Sequence, residues 1–122
     1  MSLVSMGAPP GMKIQRREAK GVVILDITGQ ITLGEGDEEL KDAIDKLVTD
    51  GQKKILLNMK KVKFMDSSGV GELVGCYTTL SRAGGKLKLL HLNEKVHDIL
   101  QITQLISVFE SFDDENKAVA SF

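Results

Sequence analysis

Residues 12–122 predict one α/β domain: a mixed β-sheet of four to five strands with helices packed against it, ordered β-β-α-β-α-β-α-β-α. Three observations carry this. Strand-length aliphatic runs recur along the chain, at Val22–Thr28, Ile55–Leu57 and Leu87–Leu92. Segments with apolar residues at helical spacing lie between them. The first two strand-like segments are separated only by Ala19-Lys20-Gly21, which makes a hairpin and an antiparallel pair at one edge. Alternation of this kind implies an α/β layer with right-handed crossovers.

Met12–Glu18 reads as an edge strand. The run Val22-Val23-Ile24-Leu25-Asp26-Ile27-Thr28 is β-branched enough for a buried strand and is expected to end at Gly29. Gly34-Glu35-Gly36-Asp37 then forms a loop that feeds a helix. Leu40, Ala43, Ile44, Leu47 and Val48 fall on one helical stripe. Glu35, Asp37, Glu38 and Glu39 cluster near its start, where the helix dipole favours negative charge, and Asp50-Gly51 ends it. The strand Lys53–Met59 has a continuous apolar centre, as suits a strand covered on both faces. Val62–Met65 adds a short extended stretch. Asp66-Ser67-Ser68-Gly69 turns into a helix reaching about Arg82, with Val70, Leu73, Val74, Tyr77 and Leu80 on its apolar face. Gly84-Gly85 stops it. Lys86–Leu92 is the next strand. Asn93 or Glu94 opens a helix with Val96, Ile99 and Leu100 inward. Val108 and Phe109, with Phe112, form a last short strand. A terminal helix covers Asp113–Ala120, with Asp113 or Asp114 near its N-cap.

Composition narrows the function classes. The chain has 122 residues, 16 Lys+Arg against 17 Asp+Glu, and a formal net charge of -1. A domain of this size folds without disulfides or metals. Near-zero charge argues against nonspecific nucleic-acid binding, and the scarcity of aromatics argues against a stacking platform. Two histidines, His91 and His97, and one cysteine, Cys76, cannot build a clustered His/Cys zinc site. No apolar run approaches the ~20 residues that span a bilayer. Met1–Gly11 lacks a basic n-region and a long h-region and reads as a vector-derived or loose leader. The expected compartment is the cytoplasm. No cofactor or metal is expected.

The informative stretch is Phe64-Met65-Asp66-Ser67-Ser68-Gly69-Val70-Gly71. Its plain reading is an N-cap: Ser and Asp oxygens accept the orphan N–H groups of a helix start. A serine at a helix N-terminus on the carboxyl side of a sheet also stands where ligands and partners dock. Gly69, Gly71 and Gly75 each cost the helix up to about 1 kcal/mol relative to alanine. Such a segment needs close backbone approach, either to its own sheet or to another molecule. The glycine spacing is not the dinucleotide fingerprint, and no phosphate-binding loop is present. A hydrolase using Ser67 would need a base, and His91 and His97 are the only candidates, one at a strand end and one on a helix beside core positions. Cys76 reads as a small core hydrophobe.

This motif resembles the signature of STAS domains, specifically bacterial anti-sigma factor antagonists. Ile27-Thr28-Gly29-Gln30-Ile31, Ile55-Leu56-Leu57-Asn58-Met59 and Gly84-Gly85-Lys86-Leu87 extend the resemblance along the chain from about Met12. The resemblance implies a regulator with no catalytic residues. The unphosphorylated antagonist binds an anti-sigma factor, often a serine kinase, and so frees a sigma factor. Phosphorylation of the first serine of the turn, here Ser67, ends the complex, and a PP2C-type phosphatase resets it. The implied partner surface comprises Asp66, Ser67, Ser68, Gly69 and Val70, with Thr32, Glu35 and Asp37 from the preceding loop, on a monomer or weak dimer. One departure concerns Thr32, which stands where many members carry aspartate. The acidic contact is then lost, with Glu35 or Asp37 as candidates to replace it. The family's glycine near the end of the third helix is also not evident around Thr103-Gln104. The alternative role is a STAS module that senses a nucleotide or other small ligand.

Overall fold

A computed structural model describes residues 12–122, so the expected leader, Met1–Gly11, lies outside the described residues. The strands are β1 (Met12–Ala19), β2 (Val22–Ile31), β3 (Lys54–Met65), β4 (Lys86–Leu90) and β5 (Ser111–Phe112). The helices are α1 (Asp37–Thr49), α2 (Ser67–Arg82), α3 (Glu94–Ile102) and α4 (Glu115–Ala120). The element order is the expected one. The five strands lie side by side in sequence order. β1 pairs antiparallel with β2, and every other pair is parallel. The β1–β2 turn places Lys20 at φ 52° and Gly21 at φ 80°, the left-handed pair that matches the twist of the flanking strands.

Period-two alternation divides β2 between two cores. Val23, Leu25 and Ile27 join the larger core, with Leu40 and Ile44 of α1, Leu73 and Leu80 of α2, and Val96 and Leu100 of α3. Val22 and Ile24 face the other way, with Leu56 and Leu90, onto Ala118 and Val119 of α4. Ile55, Leu56 and Leu57 of β3 are each 0% exposed, which is why three apolar residues in a row suit this central strand. Cutting Leu57 to alanine here costs about 2–5 kcal/mol.

α4 is too short to hold itself and is clamped. Arg17 Nε donates to Asp26 Oδ2 (2.6 Å) and its Nη2 donates to Glu115 Oε1 (2.8 Å). Lys88, only 3% exposed, donates to the Ser121 carbonyl (2.9 Å) and hydroxyl (3.0 Å), 4.9 Å from the Phe122 ring centroid. Its charge thus has oxygen and π partners within the interior.

Four expectations at strand boundaries need correction. β2 does not end at Gly29 but continues to Ile31, because Gly29 at φ 114° absorbs an irregularity in the ladder. Lys54–Met65 is one strand rather than two, carrying extra residues between Asp26/Thr28 and Gly29/Gln30 of β2. β4 ends at Leu90, since His91 turns to φ 57°. Val108 and Phe109 are not in a strand. Phe109 is 5% exposed and meets Tyr77 edge-on at 5.4 Å between ring centroids, so it plugs the core while pairing begins at Ser111.

Candidate functional site

The C-terminal ends of β2 and β3 set the site. Met65 is buried at the end of β3 and pairs with Ile31 at the end of β2. Asp66 follows in extended conformation as the N-cap of α2, and its Oδ1 accepts from the Gly69 N–H at 2.9 Å. Its Oδ2 accepts from the Leu33 N–H at 3.3 Å. One carboxylate therefore ties the start of α2 to the loop between β2 and α1.

Gly69 explains how closely these parts meet. A β-carbon there would lie 1.9 Å from the Ile31 carbonyl oxygen and 2.7 Å from Met65 Cγ. Gly71 has open space around it, and Gly75 meets Glu72 only at ordinary contact distance. Close approach to the protein's own sheet is thus required at the first of the three helix glycines and not at the other two.

Ser67 is the first residue of α2 and is exposed. Among the described residues its hydroxyl makes no hydrogen bond; the cap is Asp66. The Gly69 N–H is used by the cap, and the Val70 N–H donates to the Asp66 carbonyl at 3.0 Å. The N–H groups of Ser67 and Ser68 stay open among the described hydrogen bonds. Ser68 is half-buried, whereas Gly69 and Val70 are buried and shape the turn from beneath.

The loop residues divide in the same way. Thr32 and Glu35 exchange backbone hydrogen bonds, both 2.9 Å, closing a turn with Leu33 and Gly34 at its tip. Asp37 Oδ1 accepts from the N–H groups of Gly34 (3.2 Å) and Glu38 (2.9 Å), so its carboxylate holds the turn. Glu35 is exposed and its carboxylate has no such duty. Gly36 caps α1 at φ 97°, close under the Gln30 carbonyl, and its N–H donates to Glu39 Oε1 at 3.1 Å.

Sequence reasoning missed three apolar residues at this end. Leu33 is 75% exposed, Phe64 47% and Ile102 80%. Phe64 and Ile102 flank a groove of about 500 Å³ between the α2 start and α3, into which Ser67 faces beside Lys95 and Asp98. Single apolar residues in otherwise polar positions were the available signal: Leu33 between Thr32 and Gly34, and Ile102 off the inward stripe of α3. Neither histidine lines this groove, so neither candidate base for Ser67 stands in it. Cys76 is buried, and its thiol is pushed up to about 12 by desolvation.

Comparison with known proteins agrees with this architecture. An anti-sigma F factor antagonist of Paenibacillus polymyxa is 28% identical over 109 residues, spanning 88% of this chain and 92% of its own. The fold superposes on an anti-sigma factor antagonist from Mycobacterium paratuberculosis with a TM-score of 0.80 at 20% identity, covering 95% and 97% of the two chains. Bacillus SpoIIAA in its phosphorylated form gives a TM-score of 0.69 at 22% identity, covering 89% and 98%. A sequence model of the STAS domain matches residues 13–118, and the chain belongs to the STAS domain family.

Proposed function

We propose that this protein is an anti-sigma factor antagonist that docks an anti-sigma factor with kinase activity through the Ser67 end of the molecule. Phosphorylation of Ser67 releases the partner, and a PP2C-type phosphatase restores binding. The observation that carries this reading is the exposed Ser67, whose hydroxyl makes no hydrogen bond among the described residues, in a groove flanked by the exposed Phe64 and Ile102. Exposed apolar side chains beside one polar group are what a protein interface leaves uncovered. The antagonist is the substrate and the binding module, acts in the cytoplasm as a monomer or weak dimer, and needs no cofactor of its own.

The switch is electrostatic and local. A phosphate adds a charge of about -1.5 to -2 at neutral pH. The open N–H groups of Ser67 and Ser68 can donate to its oxygens without disturbing the Asp66 cap. The fold therefore keeps its shape while a dianion appears beside Phe64 and Ile102, where docking would have to desolvate it. Mass analysis after incubation with the cognate kinase and Mg-ATP tests this. One phosphate on Ser67, absent in Ser67→Ala, supports the reading; phosphate elsewhere, or none, sinks it.

A further inference from the structure

Among the described residues, Lys95 is the only cation lining the groove that holds Ser67, and it shares the α3 wall with Asp98. The first turn of α3, which carries Lys95, is fixed to the strand that leads into Ser67. Asn93 caps α3 by accepting from the Val96 N–H at 2.9 Å, and its amide donates to the Val62 carbonyl of β3. Met65, at the end of that strand, and Ser67 contribute to the facing wall. Lys95 forms no ion pair among the described residues, although Glu94 and Asp98 share its helix. The Asp98 carboxylate lies instead 4.0 Å from His97 Nδ1. The other charges at this end have different places. Asp66 caps α2 and holds Leu33, and Asp37 holds the loop that also carries Glu35. Lys63 and Glu94 line an adjoining hollow that Lys95 borders as well.

We infer that Lys95 takes the phosphate of phosphorylated Ser67 as an ion pair across this groove, an inference that rests on the Ser67 switch proposed above. The ligand is tethered, because the phosphate is borne by the Ser67 oxygen and has the groove beside it. Its oxygens accept from the open Ser67 and Ser68 N–H groups on the α2 side. On the α3 side they accept from the Lys95 ammonium, a charge-assisted bond. The flexible four-carbon stem of lysine lets that ammonium follow the phosphate. Lys95 is thus a positioning residue. It keeps the dianion in the groove flanked by Phe64 and Ile102, which a docking partner would have to fill. Asp98, on the same wall, opposes the phosphate, so the two α3 side chains act on it with opposite sign.

The test uses the full chain with phosphoserine placed at position 67 during translation, so the answer does not depend on any kinase. 31P NMR follows the second ionisation of the phosphate, near about pH 6 when unperturbed. A cation beside the phosphate favours the dianion and lowers this value. Lys95→Gln should therefore raise it by about half a unit, the range of one exposed charge pair. Lys95→Arg should keep the parent value, and Asp98→Asn should lower it. Lys63→Gln, at the adjoining hollow, should move it much less than Lys95→Gln. All these positions are exposed, so the variants are expected to fold, and amide spectra matching the parent's confirm it. No rise in Lys95→Gln, a rise in Lys95→Arg or Asp98→Asn, or an equal rise in Lys63→Gln would overturn the inference. Such a failure leaves partner release by phosphorylation standing, because titration with the anti-sigma factor reads that separately. Conversely, a Ser67 that no kinase modifies would sink the switch and leave this shift measurable.

Discussion

Alanine at position 69 and alanine at position 71 should shift stability in opposite directions. Both replace a helical glycine, and in isolation each gains up to about 1 kcal/mol of helix propensity. At Gly71 nothing lies within 4 Å of the added methyl group, so the gain is realised. At Gly69 the methyl would sit 1.9 Å from the Ile31 carbonyl oxygen. That oxygen belongs to backbone held by the Ile31–Met65 pairing and cannot swing aside as a side-chain tip would. Overpacking costs about 1–3 kcal/mol, and contact with backbone places this case at the upper end. The net loss is then about 2 kcal/mol. At about 4 °C per kcal/mol for a domain of this size, Gly69→Ala should lower Tm by about 8 °C. Gly71→Ala should raise it by about 2–4 °C. Thermal unfolding followed by circular dichroism or calorimetry reads both. A Gly69→Ala protein as stable as the parent would refute the close seating of α2 on the end of β2, and with it the geometry assigned to the Ser67 turn.

Three further predictions come from side chains. Asp66→Ala removes the α2 cap and the tie to the Leu33 N–H, so it should cost about 1 kcal/mol in chemical denaturation and speed amide exchange at Leu33 and Gly69. The Arg17 hydrogen bonds hold the Asp26 and Glu115 carboxyls below the usual carboxylate range. A depressed folded pKa contributes stability above the unfolded value, near about 4, which is lost as pH falls through the lower folded values. Melting of the parent should therefore fall more steeply on acidification below about pH 4.5 than melting of Arg17→Gln, and parallel acid limbs would count against the clamp. Cys76, with its thiol pushed up to about 12, should resist thiol reagents at pH 8 until the protein unfolds, and rapid labelling of the native state would contradict its burial.

Element order was legible because hydrophobic period survives tertiary packing. The Leu40–Val48 stripe and the Ile55–Leu57 run each admit one reading. Boundaries were less legible because they depend on pairing partners. Gly29 breaks a strand in isolation, yet β2 continues through it because the ladder to β3 tolerates the irregularity. Phe109 looks like a strand residue, and only the Tyr77 ring shows that it is a core plug. The turn around Ser67 was found from its motif. Its apolar groove was not, because Phe64 and Ile102 are far apart in sequence and only the fold brings them together. The difference between Glu35 and Asp37 also depends on the fold, since only Asp37 lends a carboxylate oxygen, Oδ1, to the N–H groups of Gly34 and Glu38.

A single phosphate on Ser67 is expected to end partner binding while leaving the fold intact. This is tested most directly by titrating the cognate anti-sigma factor with the unmodified protein and with protein carrying phosphoserine at position 67, at matched salt. Binding of the phosphorylated form should be at least about a hundredfold weaker, or about 2.7 kcal/mol, with amide spectra altered only around the α2 turn, the Thr32–Glu35 loop and Lys95. Equal affinity of the two forms would contradict it.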